Sequence, residues 1–417
     1  MRRSECIRTA VNSFKHLTMM SIFIQPVGFN CHGIINGLLQ AFIFSLLKIK
    51  SRVIKPGTSL SLFIEKGMRT MKKADQIFFL SITVLLLSAS PAIAQKVGST
   101  SMQYLSVIPG ARAASMGNAY VAIAHGVDGL FWNPAGVALT EGQEFSTAYI
   151  NWIFDTRQYA LGYAVSLGIV GSVGLQLHYI DYGSFEEAIL PRGDASDYYP
   201  QQEYPYLTGR IFKPYSYIAG LTYAKELTDR FSTGISIKYS HESLYDKAQV
   251  YVDSANGSVN TYGDVILFDI GVHYNTGFHT IQIGAAVQNF GSDVRYAVDN
   301  YAVPMLFRVG LAADLIGPNS LLLEDQSSRL GVAFDIFQSS DYNQQQHIGV
   351  EYEYAESIAF RAGYKLNYDN EGLTLGGGIK QKLGSLKFSI DYSYGAMGTN
   401  VGAFGNVHRI SLGVGIL

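Results

Sequence analysis

The sequence predicts an all-β protein: a transmembrane antiparallel β-barrel of about 14 strands with a short helical N-terminal plug. Three observations predict it. Segments of roughly ten residues with period-two alternation recur from residue 143 to the end of the chain. The face opposite their large apolar residues is dominated by Gly, Ala, Ser and Thr rather than by charge. A secretory targeting pattern stands ahead of the first segment.

Composition narrows the classes. Only 15% of the 417 residues are charged, against about a quarter in soluble proteins. Glycine (43 residues) and aromatic residues (13%) are abundant, while proline is scarce at 11. A formal net charge of −2 supplies no basic surface, so nucleic acid is not an expected partner. Both cysteines, Cys6 and Cys31, precede residue 94, whereas all 28 tyrosines and both tryptophans, Trp132 and Trp152, follow it. Without its front, the chain can form neither a disulfide framework nor a thiolate metal site.

The targeting pattern lies at residues 71–94. Met71, Lys72 and Lys73 begin a short basic stretch, Ile77 to Leu87 is apolar, and Ala92-Ile93-Ala94 precedes Gln95 as an A-x-A cleavage site. That apolar core is too short to span a bilayer comfortably, which marks a signal peptide rather than an anchor. Cleavage after Ala94 leaves 417 − 94 = 323 residues. Residues 1–70 read as an upstream extension from a start codon placed too early, with Met68 or Met71 as initiator. They are assigned no function.

The alternation defines the wall, residues 143–417. Tyr159, Leu161, Tyr163, Val165 and Leu167 share one parity, and Gln158, Ala160, Gly162, Ala164 and Ser166 take the other. Val173, Leu175, Leu177 and Tyr179 oppose Gly174, Gln176 and His178 in the next segment. Successive side chains of a strand point to opposite faces, so each segment has one greasy face and one small or polar face. Fourteen such segments fall near 143–153, 157–167, 172–182, 214–226, 231–242, 262–275, 279–290, 304–316, 327–338, 344–355, 357–367, 372–382, 385–395 and 406–417. An even number of roughly ten-residue strands suits tilted strands crossing a hydrocarbon layer, and closure removes the edges lipid would not tolerate.

The connections alternate too. Gly168–Gly171, Leu227–Arg230, Thr276–Phe278 and Leu383–Gly384 are short, while Gly183–Lys213 and Ser243–Thr261 are long. Short turns at one end and longer loops at the other is the asymmetry of outer-membrane barrels. Gly317–Gln326 is long on the short side, and Ser339–Asn343 is brief on the long side. A soluble sandwich or lipocalin-like barrel also alternates, but its polar parity would be richly charged. Here that parity carries only scattered charges, such as Lys238, Arg308, Asp335, Glu351 and Arg361. These read as isolated charges in a narrow interior. Tyr215, Tyr217, Tyr352, Tyr354, Tyr392 and Tyr394 sit near segment ends, as interfacial girdles do.

Residues 95–142 differ in kind. The stretch Ala111–Ala124 is alanine-rich without alternation, predicting a short helix or two. Then come His125 to Gly129, rich in turn residues, and the run Phe131-Trp132-Asn133-Pro134-Ala135-Gly136-Val137. Asn-Pro favours a turn because proline fixes its own φ and restricts its predecessor. Such a segment can fold back into the barrel as a hatch.

Here the sequence resembles a known family. Pro109, Gly110, Ala111, Arg112 and Ala113, then Met116, Gly117, Asn118 and Ala119, then Asp128, and finally Trp132, Asn133, Pro134, Ala135 and Gly136 resemble the opening of the PorV/PorQ family. More distantly they are similar to the plug of FadL-type fatty-acid transporters. With the strand pattern, the resemblance covers essentially all of residues 95–417. It implies a bacterial outer-membrane barrel in contact with outer-membrane lipid. It also implies one of two roles: escorting secreted cargo proteins with other components of type IX secretion, or passing a hydrophobic ligand through a lateral opening in the wall. The shared motif does not separate the two. For Asn133, Pro134 and Trp132 a structural turn and simple packing compete with a gating role. The final strand, with Ile410, Leu412, Val414 and Ile416 on one face, resembles a barrel assembly signal, although Leu417 replaces the usual terminal aromatic.

No catalytic residue, metal site or cofactor is expected. The chain has no G-x-S-x-G elbow, P-loop or H-E-x-x-H. His178 and His273 fall on the interior parity and read as satisfied interior histidines. The loop Gly183–Lys213 holds Glu186, Glu187, Asp194, Asp197 and Glu203 without EF-hand spacing. Its tyrosines make it the first candidate contact for a polypeptide partner. A plug would obstruct a free-diffusion porin.

Overall fold

The computed structural model describes residues 98–189, 206–246, 249–253, 257–297, 299–397 and 405–416. The targeting segment, the upstream residues 1–70 and Asp194, Asp197 and Glu203 lie outside the described residues.

Fourteen antiparallel strands form a closed barrel. In chain order they are β1 (Gln143–Asn151), β2 (Arg157–Ser166), β3 (Ser172–Asp181), β4 (Tyr215–Thr228), β5 (Phe231–Ser243), β6 (Tyr262–Asn275) and β7 (Gln282–Gly291). The second half comprises β8 (Leu306–Ile316), β9 (Ser328–Ser339), β10 (Gln345–Tyr354), β11 (Ile358–Leu366), β12 (Glu371–Leu383), β13 (Leu386–Met397) and β14 (Asn406–Ile416). Each neighbours the next in sequence, and β1 closes on β14 from Gln143↔Ile416 to Asn151↔His408. Every segment predicted from alternation is a wall strand.

The alternation sets the burial, inverted relative to a protein in water. Leu161, Leu175 and Leu177 face outward at 43%, 53% and 53% exposure, while Gln158, Gln176 and Arg361 face the lumen at 1%, 5% and 3%. An apolar exterior around a polar interior is stable only where hydrocarbon is the outer solvent.

The two ends differ as expected. The β2–β3, β4–β5, β6–β7, β10–β11 and β12–β13 links are tight, at the end where β1 begins and β14 finishes. At the opposite end the long links carry hairpins that alternation alone did not reveal. These are Phe185–Ile189 with Tyr206–Phe212, Gln249–Asp253 with Gly257–Asn260, and Val294–Tyr296 with Asp299–Tyr301. They escape detection because each is too short for a period to register. The first is held by Phe185 stacked on Phe212 at 5.9 Å.

Residues 98–142 fill the lumen. Thr100 bridges Ala302 at the long-loop end, and the chain then descends to enter β1 at the short-turn end. The alanine-rich stretch is less helical than expected. Only α1 (Ala111–Ser115) is helical within it. Gly117 and Asn118, at φ of 65° and 66°, break the helix immediately afterwards. After a single turn at Gly126–Asp128 come α2 (Gly129–Trp132) and a 3-10 segment, Pro134–Leu139.

Candidate functional site

The plug is seated through backbone contacts that only small residues permit. A Cβ placed at Gly363 of β11 would stand 1.9 Å from the Gly117 nitrogen, and one at Gly271 of β6 would stand 2.1 Å from Asn133 Oδ1. Glycine on the interior parity therefore marks where the plug meets the wall. Gly110, at φ 116°, turns the chain into α1. Met116 is buried, and the Gly117 nitrogen donates to Thr374 Oγ1 at 3.0 Å.

The Asn-Pro-Ala-Gly run does more than turn. Asn133 caps the 3-10 segment by accepting from the Ala135 nitrogen at 3.2 Å, with Pro134 at its first position. Asn133 Nδ2 also donates to Val121 O in the plug (2.9 Å) and to Val272 O in the wall (3.1 Å). One fully buried amide thus ties turn, plug and β6 together. Ala135 O accepts from Ser232 Oγ at 3.2 Å. Gly136 packs against Ala124, whose carbonyl a Cβ would meet at 1.7 Å. Across the lumen, Asp335 Oδ2 accepts from the Tyr120 and Val121 nitrogens at 2.7 and 2.9 Å.

The charges read as isolated in the sequence are not isolated. Glu351 of β10, 1% exposed, accepts from Arg112 of the plug and from Arg361 and Arg329 of the wall. Arg329 also reaches Asp314 (3.1 Å) and Glu353 (2.9 Å), Lys380 reaches Glu353 (2.9 Å), and Arg361 reaches Asp391 (2.6 Å). The network went unseen because it joins residues through cross-strand register. Glu351 stands directly opposite Arg361 in the β10–β11 pairing, and no spacing along the chain encodes that.

Arg112 leads into a second group. Its Nη1 donates to Tyr120 Oη at 3.2 Å, and that hydroxyl donates to Asp128 Oδ2 at 2.6 Å. Burial pushes the Asp128 carboxyl above its ordinary range, an effect that the Tyr120 hydroxyl and the Arg112 charge oppose. Trp132 is 1% exposed and donates from Nε1 to Pro109 O at 3.0 Å. The Arg308 guanidinium lies 5.3 Å over its ring. The two interior histidines are satisfied as expected: His178 Nε2 pairs with Gln158 Oε1 at 3.0 Å, and His273 Nε2 approaches Gln282 Oε1 at 3.4 Å.

Two cavities flank Arg112. The larger, about 650 Å³, lies between the plug and the short-turn ends of β9, β10, β12, β13, β14 and β1. The smaller, about 210 Å³, lies against β7, β8 and β9. Both sit at the short-turn end. At the long-loop end lies an apolar layer in which Met102, Tyr104 and Leu105 pack against Ile180, Ile218, Val265, Leu267, Val294 and Val303. Tyr296 of the overlying hairpin hydrogen-bonds Glu242, fixing that layer in place. Among the described residues, no three His, Cys, Asp or Glu side chains cluster as a metal site would require.

No family model matches this sequence, and no curated protein matches it. Among solved structures, the chain is similar to the Pseudomonas putida toluene transporter TodX, at 13% identity and a TM-score of 0.45 over 72% of this chain and 96% of that one. It is similar to the Ralstonia pickettii toluene transporter TbuX, at 15% identity and a TM-score of 0.43 over 73% and 96%. It is also similar to a Pseudomonas aeruginosa FadL homologue, at 11% identity and a TM-score of 0.39 over 74% and 98%.

Proposed function

We propose that the chain is a bacterial outer-membrane conduit for hydrophobic small molecules, with residues 95–142 as its plug. The observation that carries this reading is the apolar layer at the long-loop end. Here six apolar wall and loop residues meet three apolar plug residues. A hydrophobic solute entering this layer replaces one apolar contact with another, at little net cost in exposed area. The wall is irregular beside it. The β6–β7 register shifts between Phe268 and Ile270, and Asn289 adopts a φ of 61°. In this reading the barrel is delivered by cleavage after Ala94, its short turns face the periplasm, and it performs no chemical step.

A second reading has its own support. All fourteen seams are closed by backbone pairing, and the Phe185–Ile189 and Tyr206–Phe212 hairpin exposes Phe185, Leu207 and Ile211 at 48%, 54% and 64%. A sealed wall beneath an apolar loop surface suits a PorV/PorQ-type role, binding secreted cargo proteins outside the membrane. Deleting the gene and complementing it separates the two. The conduit reading expects uptake of a radiolabelled monoaromatic hydrocarbon or long-chain fatty acid to fall while surface delivery of secreted proteins is unchanged. Lost delivery with normal uptake overturns it in favour of the second reading.

A further inference from the structure

The plug has a fastened side and an open side. On the fastened side its backbone presses into wall glycines. Pro134 O would lie 2.3 Å from a Cβ at Gly234, and Val121 O the same distance from one at Gly284. Gln288 Nε2 adds a hydrogen bond to Phe131 O at 2.8 Å. No solute passes there without unseating the plug. On the open side, facing β13, β14 and β1, the 650 Å³ cavity separates plug from wall and runs inward from the short-turn rim.

Ser146 of β1, Ser389 of β13 and Ser411 of β14 all line this cavity. Ser146 pairs with Gly413, and Gly413 pairs with Ser389, so the three strands present small side chains side by side. The inner end is closed by Pro109 to Ala111, where the chain enters α1. Two hydrogen bonds hold it. Ala111 N donates to Ser411 Oγ at 2.8 Å, and Trp132 Nε1 donates to Pro109 O at 3.0 Å. Beyond it α1 packs on β12, β13 and β14, so opening the inner end requires this segment of the plug to lift from the wall.

We propose that the passage between the plug and the β13–β14–β1 wall is the exit route to the periplasm, and that Ser411 and Trp132 latch its inner end. This rests on the conduit reading. It goes further by assigning one side of the plug as the path. The lining suits release. Lys380, Lys387, Glu144 and Asp391 stand among apolar residues in the lining, so the cavity is of mixed polarity, in contrast to the apolar layer at the loop end.

Residues 95–417 contain no cysteine, which permits a direct test in a full chain also carrying Cys6→Ser and Cys31→Ser. Single variants Ser389→Cys and Ser146→Cys place a thiol in the proposed route, and Thr280→Cys places one in the smaller cavity across the plug. Uptake of the two radiolabelled probes is measured in cells before and after modification with a bulky maleimide. Labelling and barrel folding are verified by mass and by heat-dependent gel mobility. The expected result is loss of uptake on modifying residue 389 or 146 and retained uptake on modifying residue 280. Retained uptake with residues 389 and 146 fully labelled overturns the route while leaving the conduit reading intact. Absence of uptake by the unsubstituted chain overturns the conduit reading itself, and the route with it. Ser411→Ala, which removes one latch bond, is expected to raise uptake, and unchanged uptake removes Ser411 from the latch.

Discussion

Arg112 of the plug and Glu351 of β10 meet in a two-point contact, Nε to Oε2 at 2.9 Å and Nη2 to Oε1 at 2.8 Å. Such paired geometry fixes orientation as well as distance. Arg329 and Arg361 donate to the same carboxylate, so three guanidinium groups converge on one acid of the wall. The plug is therefore held both by charge and by glycine-permitted backbone contact, and on the paired strands β10 and β11 the two stand together.

Removing the acid should loosen both plug and wall. Glu351→Gln removes the charge on which three guanidinium groups converge, and breaking a buried ion pair from one side costs about 3–5 kcal/mol. Urea unfolding in lipid vesicles should show a markedly lower midpoint, with protease cutting within residues 98–142 before the barrel opens. Arg112→Lys keeps the charge but loses the fork, so its midpoint should fall less.

The glycine seat predicts an effect from one methyl group. Gly363→Ala drives a Cβ into the Gly117 nitrogen, 1.9 Å away, and over-packing of this kind costs about 1–3 kcal/mol. Plug protease sensitivity should rise. Gly384→Ala, at a turn where a Cβ meets nothing within 4 Å, should leave the plug protected despite its local strain at φ 63°. Equal sensitivity in the two variants would count against close seating.

The membrane reading makes its own prediction on the outer face. Leu177, 53% exposed near the middle of β3, should meet hydrocarbon. Leu177→Arg is then expected to cost about 2–4 kcal/mol at mid-depth, read from unfolding in vesicles. A barrel that stood in water would accept that arginine at almost no cost.

Asp128 carries a pH signature. Its carboxyl is raised above the ordinary value of 3.8 by burial, so the folded state holds the proton more tightly than the unfolded one. The associated stability is fully present below the unfolded value and is lost as pH rises through the folded one. Comparing wild type with Asp128→Asn isolates this contribution. The difference in unfolding midpoint between them should change across the carboxylate range, with wild type gaining on acidification. A constant difference would remove Asp128 from the titration.

Processing is the simplest expectation to check. Mass spectrometry of protein purified from outer membranes should place its first residue at Gln95. A start near Met68 or Met71 in that fraction would show an uncleaved segment.

The wall was legible because strand alternation is a local property. Leu175, Gln176 and Leu177 declare opposite faces by their order alone, and the two-residue period of an extended chain carries that order around the whole barrel. The turn at Asn133-Pro134 was legible for the same reason, since its chemistry is confined to neighbouring residues. The extent of helix in Ala111–Ala124 was less so. Alanine favours helix, but Gly117 and Asn118 fit against β11 in left-handed conformations, and tertiary seating overrode propensity.

The sequence by itself determined which residues form strands, which side of each strand faces out, and where a non-alternating segment interrupts them. Only the tertiary structure decided that Arg112 would find Glu351, 239 residues away, that glycines of separate strands would form one seat, and that a gap would remain along β13, β14 and β1. Alternation is written by the geometry of single residues. Pairing across a lumen depends on the register of many strands closing together, which no stretch of the chain specifies alone.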